Sequence, residues 1–190
     1  AASFKQIYRI AADENMGTDV VSSGEIYTAR TAGFPMEKAY FHGNNKTDED
    51  ISFAMDNSVG YFVADNIEEL DSIDKEAEKR GIKQKILLRL TPGIDPHTYE
   101  AVATGKVDSK FGSAIATGAA EKITVYALCK KNIELCGFHC HVGSQVFDSD
   151  VYLAAAFIMM KFMAEMKEKY AFETKELNLG GGYGVRYTKD

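Results

Sequence analysis

Helix-like and strand-like segments alternate along this chain, and that alternation constrains the fold more than any single motif. "FKQIYRIAADENM" has the apolar spacing of a helix and is followed by Gly17. "TDVVSS" is a short β-rich run, and "GEIYTARTAG" a short helix ended by Gly33. "KAYFHGN" reads as a strand, "DEDISFAMDNS" as a helix and "VGYFVAD" again as a strand. In "NIEELDSIDKEAEKR" the residues Ile67, Leu70, Ile73 and Ala77 share one helical face. Asp65 and Glu68 supply capping-box-like chemistry at its start, and Gly81 sits just past its end. "KILLRL" follows as a buried strand, then a polar stretch from Thr91 to about Ser113. "AEKITVYALCKKN" is a helix and "IELCGFHCHV" a strand; "DSDVYLAAAFIMMKFMAEMKEKY" is a long helix begun by Asp148 or Ser149, and "KELNLG" the last strand.

Strands separated by helices of this length are repeated βα units, and such units build a parallel sheet. No G-x-G-x-x-G follows the first strand, so the dinucleotide fingerprint of a doubly wound sheet is missing. Regular βα repetition without it favours a TIM-type (β/α)8 barrel. A whole barrel needs eight units and about 250 residues, whereas this chain has 190 and starts with a helix. The expectation is therefore one incomplete barrel domain over residues 1–190, of about six parallel strands and six helices, lacking the first strand and the last βα unit. A flavodoxin-like or Rossmann-like open sheet is the alternative on pattern alone.

Composition removes several classes of function. A hydrophobic content of 45% in 190 residues suffices for a proper core. No run of 18 apolar residues suggests a membrane span, and the first ten residues lack the apolar core of a signal peptide. The net charge is −6 with no stretch rich in Lys and Arg, which argues against nucleic acid as a partner. Cys129, Cys136 and Cys140 make an odd count without framework spacing, which fits a reducing, cytoplasmic setting.

In a parallel barrel the active site lies at the C-terminal ends of the strands. Those ends carry Asp19, Ser22 and Ser23; His42, Gly43, Asn44 and Asn45; Asp65; Arg89 and Thr91; His139, His141, Gly143 and Ser144; and Asn178 with Gly180, Gly181 and Gly182. Two of the four histidines and one cysteine crowd into "HCH" at positions 139–141. Side chains alternate across a strand, so His139 and His141 face the barrel interior while Cys136, Phe138 and Cys140 face the helices. Cys140 is thus poorly placed to share a metal with the two histidines; a zinc site would need His42 or Asp19 as a further ligand. The run "LGGGYG" follows directly on a strand, and three glycines leave their N–H groups unshielded. Such a turn can wrap a phosphate. A phosphate beside a flat imidazole suggests an aromatic phosphorylated cofactor.

"FHCHVGSQ", followed downstream by "LNLGGGYG", resembles the diaminopimelate decarboxylases, members of the fold-type III pyridoxal-phosphate decarboxylases with an alanine-racemase-like barrel. "TDVVSSGEIYTARTAGFP", "FHGNNKTDEDI" and "LRLTPGIDPHTYEAVATGKVDSKFG" extend the resemblance over nearly the whole chain. Arginine and ornithine-type decarboxylases, and non-catalytic barrel proteins that bind pyridoxal phosphate, are the competing readings. The resemblance implies pyridoxal 5'-phosphate as cofactor and conversion of meso-diaminopimelate to L-lysine and CO2, an amino-acid substrate and a homodimer in the whole protein. It implies that His141 stacks on the pyridine ring, that Ser144 and Gly180, Gly181 and Gly182 hold the phosphate, and that Asp19 and Arg89 lie at the cofactor's polar edge, with His139 in support. It also implies that the family's Schiff-base lysine precedes Ala1, and that its E-P-G-R segment and C-terminal β-domain follow Asp190. Lys5 lies in the first helix and Lys46 on the wrong strand to replace that lysine, so these residues alone are expected to be inactive.

Overall fold

The protein is described by a computed structural model covering residues 4–94 and 111–188. The "TPGIDPHTYEAVATGKVDSKFG" stretch singled out above lies mostly outside the described residues. The elements in chain order are α1 (Lys5–Asp13), β1 (Thr18–Val20), α2 (Ser23–Thr31), a 3-10 turn (Met36–Lys38), β2 (Ala39–Phe41), α3 (Asp48–Asp56), β3 (Tyr61–Ala64) and α4 (Ile67–Arg80). Then come β4 (Gln84–Thr91), β5 (Ser113–Ala114), α5 (Ala119–Leu128), β6 (Ile133–His139), α6 (Ser149–Tyr170) and β7 (Glu176–Asn178). Each expected helix and strand is present. β5 was not expected; two residues beside β4 are too few to leave a periodic signal.

The chain divides into two compact units, Ala1–Leu87 with Tyr126–Leu135, and Leu88–Val125 with Cys136–Asp190. In the first unit the strand order runs β1-β2-β3-β4, and in the second β4-β6-β7 with β5 beside β4. The order never reverses, as it would at the switch point of a doubly wound sheet. Among the described residues there are six helices and seven strands, six of them in that order and the two-residue β5 beside β4, and the fold is a partial (β/α)8 barrel.

Within the first unit the register pairs Asp19 with Tyr40, Val20 with Phe41, and Phe41 with Phe62. Val20, Phe41 and Phe62 are buried. The helix starts are capped by side chains that satisfy otherwise orphaned N–H groups. Ser22 accepts from the Glu25 N–H, and Thr47 and Asp50 form a reciprocal capping box on α3. On α4 the cap is Asn66, whose side chain accepts from Glu69 N–H at 2.8 Å, rather than the expected Asp65 and Glu68. The apolar face is also shifted: Leu70, Ile73 and Ala77 are buried with Glu69, while Ile67 is 40% exposed. The first helical residue sits ahead of the turn that reaches the core. Gly81 ends the helix in the left-handed region at φ 62°, as its position predicted.

In the second unit Phe138 is fully buried on β6 and meets Phe162 of α6 and Phe172 edge-on, at centroid distances of 5.3 and 5.8 Å. Burial of such a ring contributes about 1.5–3 kcal/mol. β7 runs so close that a Cβ on Gly137 would overlap the Glu176 carbonyl oxygen, which explains a glycine in mid-strand. No helix among the described residues is long and apolar enough to cross a membrane.

On the outer face of α4, Glu76 pairs with Lys79 at 2.6 Å and with Arg80, which also reaches Asp56 at 2.8 Å. Hydrogen bonds from Lys79 and Arg80 hold the Glu76 carboxyl down at about 2. A carboxyl depressed in the folded state contributes stability above its unfolded pKa and loses it as pH falls toward the folded one. Glu76→Gln is expected to cost on the order of 0.5–1 kcal/mol at neutral pH, the range of partly exposed ion pairs. The variant should also lose less stability than the parent between pH 4.5 and 2, a window set by those two values. Urea denaturation of both proteins across that range checks this.

Candidate functional site

The two loops that leave β6 and β7 are built as one piece. The ladder between them runs from Gly137 paired with Glu176 to His139 paired with Asn178, and Cys140 N–H extends it to the Asn178 carbonyl at 2.9 Å. Asn178 then folds its side chain forward to accept from Gly180 N–H at 2.8 Å. Beyond the strands, Val146 N–H donates to the Gly182 carbonyl at 3.0 Å and Gly184 N–H to the Val146 carbonyl at 2.9 Å. Gln145 completes the tie with its amide: Oε1 accepts from Val185 N–H at 2.8 Å and Nε2 donates to the Val185 carbonyl at 3.2 Å.

The glycine turn is shaped by what it touches. Gly180 and Gly182 adopt φ of 73° and 97°, where a side chain is strained. A Cβ on Gly180 would lie 3.0 Å from His141 Nδ1 and 2.7 Å from the Cys140 carbonyl oxygen. One on Gly182 would lie 3.1 Å from His141 Cε1 and would overlap the Gly143 carbonyl oxygen. The imidazole of His141 therefore rests against the turn, and both flanking glycines are required for it to do so. Gly181 differs: a Cβ there would meet nothing within 4 Å. Among the described residues no hydrogen bond takes the N–H of Gly181 or Gly182. Ser144 is exposed in the facing loop. Two backbone donors, a hydroxyl and open space at Gly181 are the donor set a phosphate requires, and the flat ring of His141 stands beside it. These residues fit a phosphorylated aromatic cofactor.

Arg89, on β4 of the same unit, holds its guanidinium 4.5 Å from the Phe111 ring centroid, a cation–π contact that fixes the charge in place. His139 is 4% exposed and so belongs to the interior of this unit. Phe138 packs on α6, as strand alternation predicted, and Cys136 shares its face. Burial raises the Cys140 thiol to about 11, with Arg89 pulling the other way, so Cys140 is a neutral thiol at physiological pH. Among the described residues no three His, Cys, Asp or Glu side chains could hold a metal ion.

Asp19 lies in the first unit. Its carboxylate is 62% exposed and 3.3 Å from Nε2 of His42, and the backbone N–H of His42 donates to the Val20 carbonyl at 2.9 Å. By sequence His42 is a strand-end residue and a possible further zinc ligand, but it belongs to no group that could hold a metal among the described residues. Lys46 was considered only as a replacement for a missing lysine. It is instead buried against Glu69 at 2.6 Å. The sequence signal for this pair is faint: a lysine among loop residues, and a glutamate just behind a helix cap.

The chain matches a decarboxylase family. All of residues 1–190 match the family described as "Pyridoxal-dependent decarboxylase, pyridoxal binding domain", and the chain belongs to that family. Within it the similarity is to diaminopimelate decarboxylases. The chain is 44% identical to that of Bacillus methanolicus over 190 residues, covering 100% of this chain and 44% of the relative. It is 42% identical to that of Bacillus subtilis (strain 168), covering 100% and 43%. Among solved structures, the diaminopimelate decarboxylase of Methanocaldococcus jannaschii superposes with a TM-score of 0.90 at 35% identity, covering 100% of this chain and 44% of that one. The Helicobacter pylori enzyme, complexed with L-lysine, gives 0.87 at 29%, covering 100% and 48%. The chain spans less than half the length of each of these relatives.

Burial also separates the three thiols. Cys129 is exposed, whereas Cys136 and Cys140 are buried. In native protein at pH 8, a thiol reagent is expected to modify Cys129 within minutes and to spare the other two until denaturant is added. Peptide mass analysis of the labelled sites checks this; rapid labelling of Cys140 would contradict the burial that holds its proton.

Proposed function

We propose that this chain forms the cofactor-binding part of a diaminopimelate decarboxylase, which releases CO2 from meso-diaminopimelate to give L-lysine. The observation that carries the reading is the His141 imidazole set against Gly180 and Gly182, beside an open Gly181 and an exposed Ser144. Identities of 44% and 42% to enzymes of that name support the choice of substrate over arginine or ornithine. So do solved relatives complexed with L-lysine, the product of the proposed reaction.

In this reading Ser144 and the N–H groups of Gly181 and Gly182 hold the phosphate of pyridoxal 5'-phosphate. His141 offers the flat face on which the ring stacks. Arg89 places a fixed positive charge near the polar edge. When bound, the cofactor supplies the electron sink that lets a carboxylate leave an amino acid. The chain's own residues orient it: backbone donors and a hydroxyl fix one end, and the imidazole limits rotation of the ring. The substrate is a small amino acid, and the working protein is a cytoplasmic homodimer. Its three cysteines form no disulfide, which suits a reducing compartment.

Gly181 gives the cleanest test, because a Cβ there would meet nothing within 4 Å. In the full-length protein, Gly181→Val should fill the phosphate space and weaken pyridoxal phosphate binding at least about tenfold, equal to about 1.4 kcal/mol. His141→Ala should remove the stacking surface and lower affinity in the same direction, with the melting temperature of the cofactor-free protein unchanged. Affinity is read from cofactor fluorescence and turnover from CO2 release on meso-diaminopimelate. Wild-type affinity and rate in both variants would remove the site assignment.

A further inference from the structure

A charge excluded from water anchors the segment between β2 and α3. The side chains of Lys46 and Glu69 are 2% and 4% exposed. Lys46 Nζ donates to Glu69 Oε1 at 2.6 Å, to the Gly43 carbonyl at 2.7 Å and to the Val63 carbonyl at 2.8 Å, and it lies 5.3 Å from the Phe41 ring centroid. An ammonium has three donors, and each has an acceptor here. The second Glu69 oxygen accepts from Asp65 N–H at 3.0 Å, while Glu69 N–H is held by the Asn66 cap. The loop after β2, the end of β3 and the first turn of α4 therefore meet at one nitrogen.

Net stability does not account for such a pair. Desolvating both ions offsets most of their attraction, and apolar residues of the same volume stabilise as well or better. An apolar pair, however, cannot select which carbonyls come together. The segment that Lys46 holds by the Gly43 carbonyl begins with His42, and His42 Nε2 stands 3.3 Å from Asp19. On the far side, Thr47 and Asp50 cap α3, and Ser23 donates to Asp50 Oδ1 at 2.7 Å, which carries the tie back to α2. Through these contacts a single buried ammonium relates the strand ends of β1, β2 and β3.

We propose that Lys46 and Glu69 are positioning residues, a buried ammonium–carboxylate clamp that sets the His42–Gly43–Asn44–Asn45 segment and, through it, the His42–Asp19 pair. The clamp follows from the geometry of the first unit alone.

The test separates position from stability. Lys46→Met alone strands a buried carboxylate and can fail to fold, so the deciding variant is the double Lys46→Met/Glu69→Leu in the full-length protein. Glu69→Gln, which keeps the side chain's shape, is measured beside it. Two quantities are read: the melting temperature of the cofactor-free protein and the His42 ring resonance in histidine-labelled protein (assigned with His42→Gln). The double variant is expected to melt within a few degrees of the parent while the His42 resonance moves. Glu69→Gln should move the same resonance in a folded protein. An unmoved His42 resonance in either folded variant overturns the clamp.

Discussion

Parallel pairing is the constraint on which the rest of this molecule depends. Parallel neighbours cannot be joined by a tight hairpin; the connection must cross back over the sheet, and between β1 and β2, β2 and β3, and β6 and β7 it does so as a helix. Strands covered in this way are buried and apolar, as Ile86, Leu87 and Leu88 of β4 and Phe62 and Val63 of β3 illustrate. The strand bodies have little room for chemistry, so polar groups collect where strands end. In the first unit these are Asp19, His42 and the Lys46–Glu69 pair; in the second they are Arg89, His141, Ser144 and the glycine turn.

The order of elements was readable because it rests on local apolar periodicity, which neighbours in sequence decide. What escaped was decided in space. Asp65 was expected to cap α4, yet its backbone N–H is taken by Glu69, and the next residue, Asn66, supplies the cap. Ile67 fits the helical face by spacing, but that face reaches the core only from Leu70 onward. β5 consists of two residues and exists because β4 offers a pairing edge. The Lys46–Glu69 pair spans 23 residues of chain, and no pattern within either segment indicates the other.

The candidate site was legible as a set of residue types, and less so as geometry. Three consecutive glycines read as one anion-binding turn. In the structure they do different work. Gly180 and Gly182 make room for an imidazole and a neighbouring carbonyl, while Gly181 alone faces open space. The alternation that separated Phe138 from His139 held because both lie within the strand. The strand ends at His139, so the placement of His141 comes from its contact with the turn rather than from the pleat.

Gln145 does for the two loops what a strand residue would do, but with a side chain. Its primary amide presents a donor and an acceptor to Val185 in the manner of a peptide group, while its own backbone sits at φ 56°, outside any ladder. Alignment of the glycine turn against Ser144 is thus encoded partly in one neutral, reversible recognition event, with no titrating group in it. The first unit aligns its loops by charge; the second does so by amide complementarity. A carboxylate in place of that amide would keep the acceptor and lose the donor, so hydrolysis of this single side chain amounts to a built-in route by which ageing of the molecule would loosen its second loop pair and leave its first untouched.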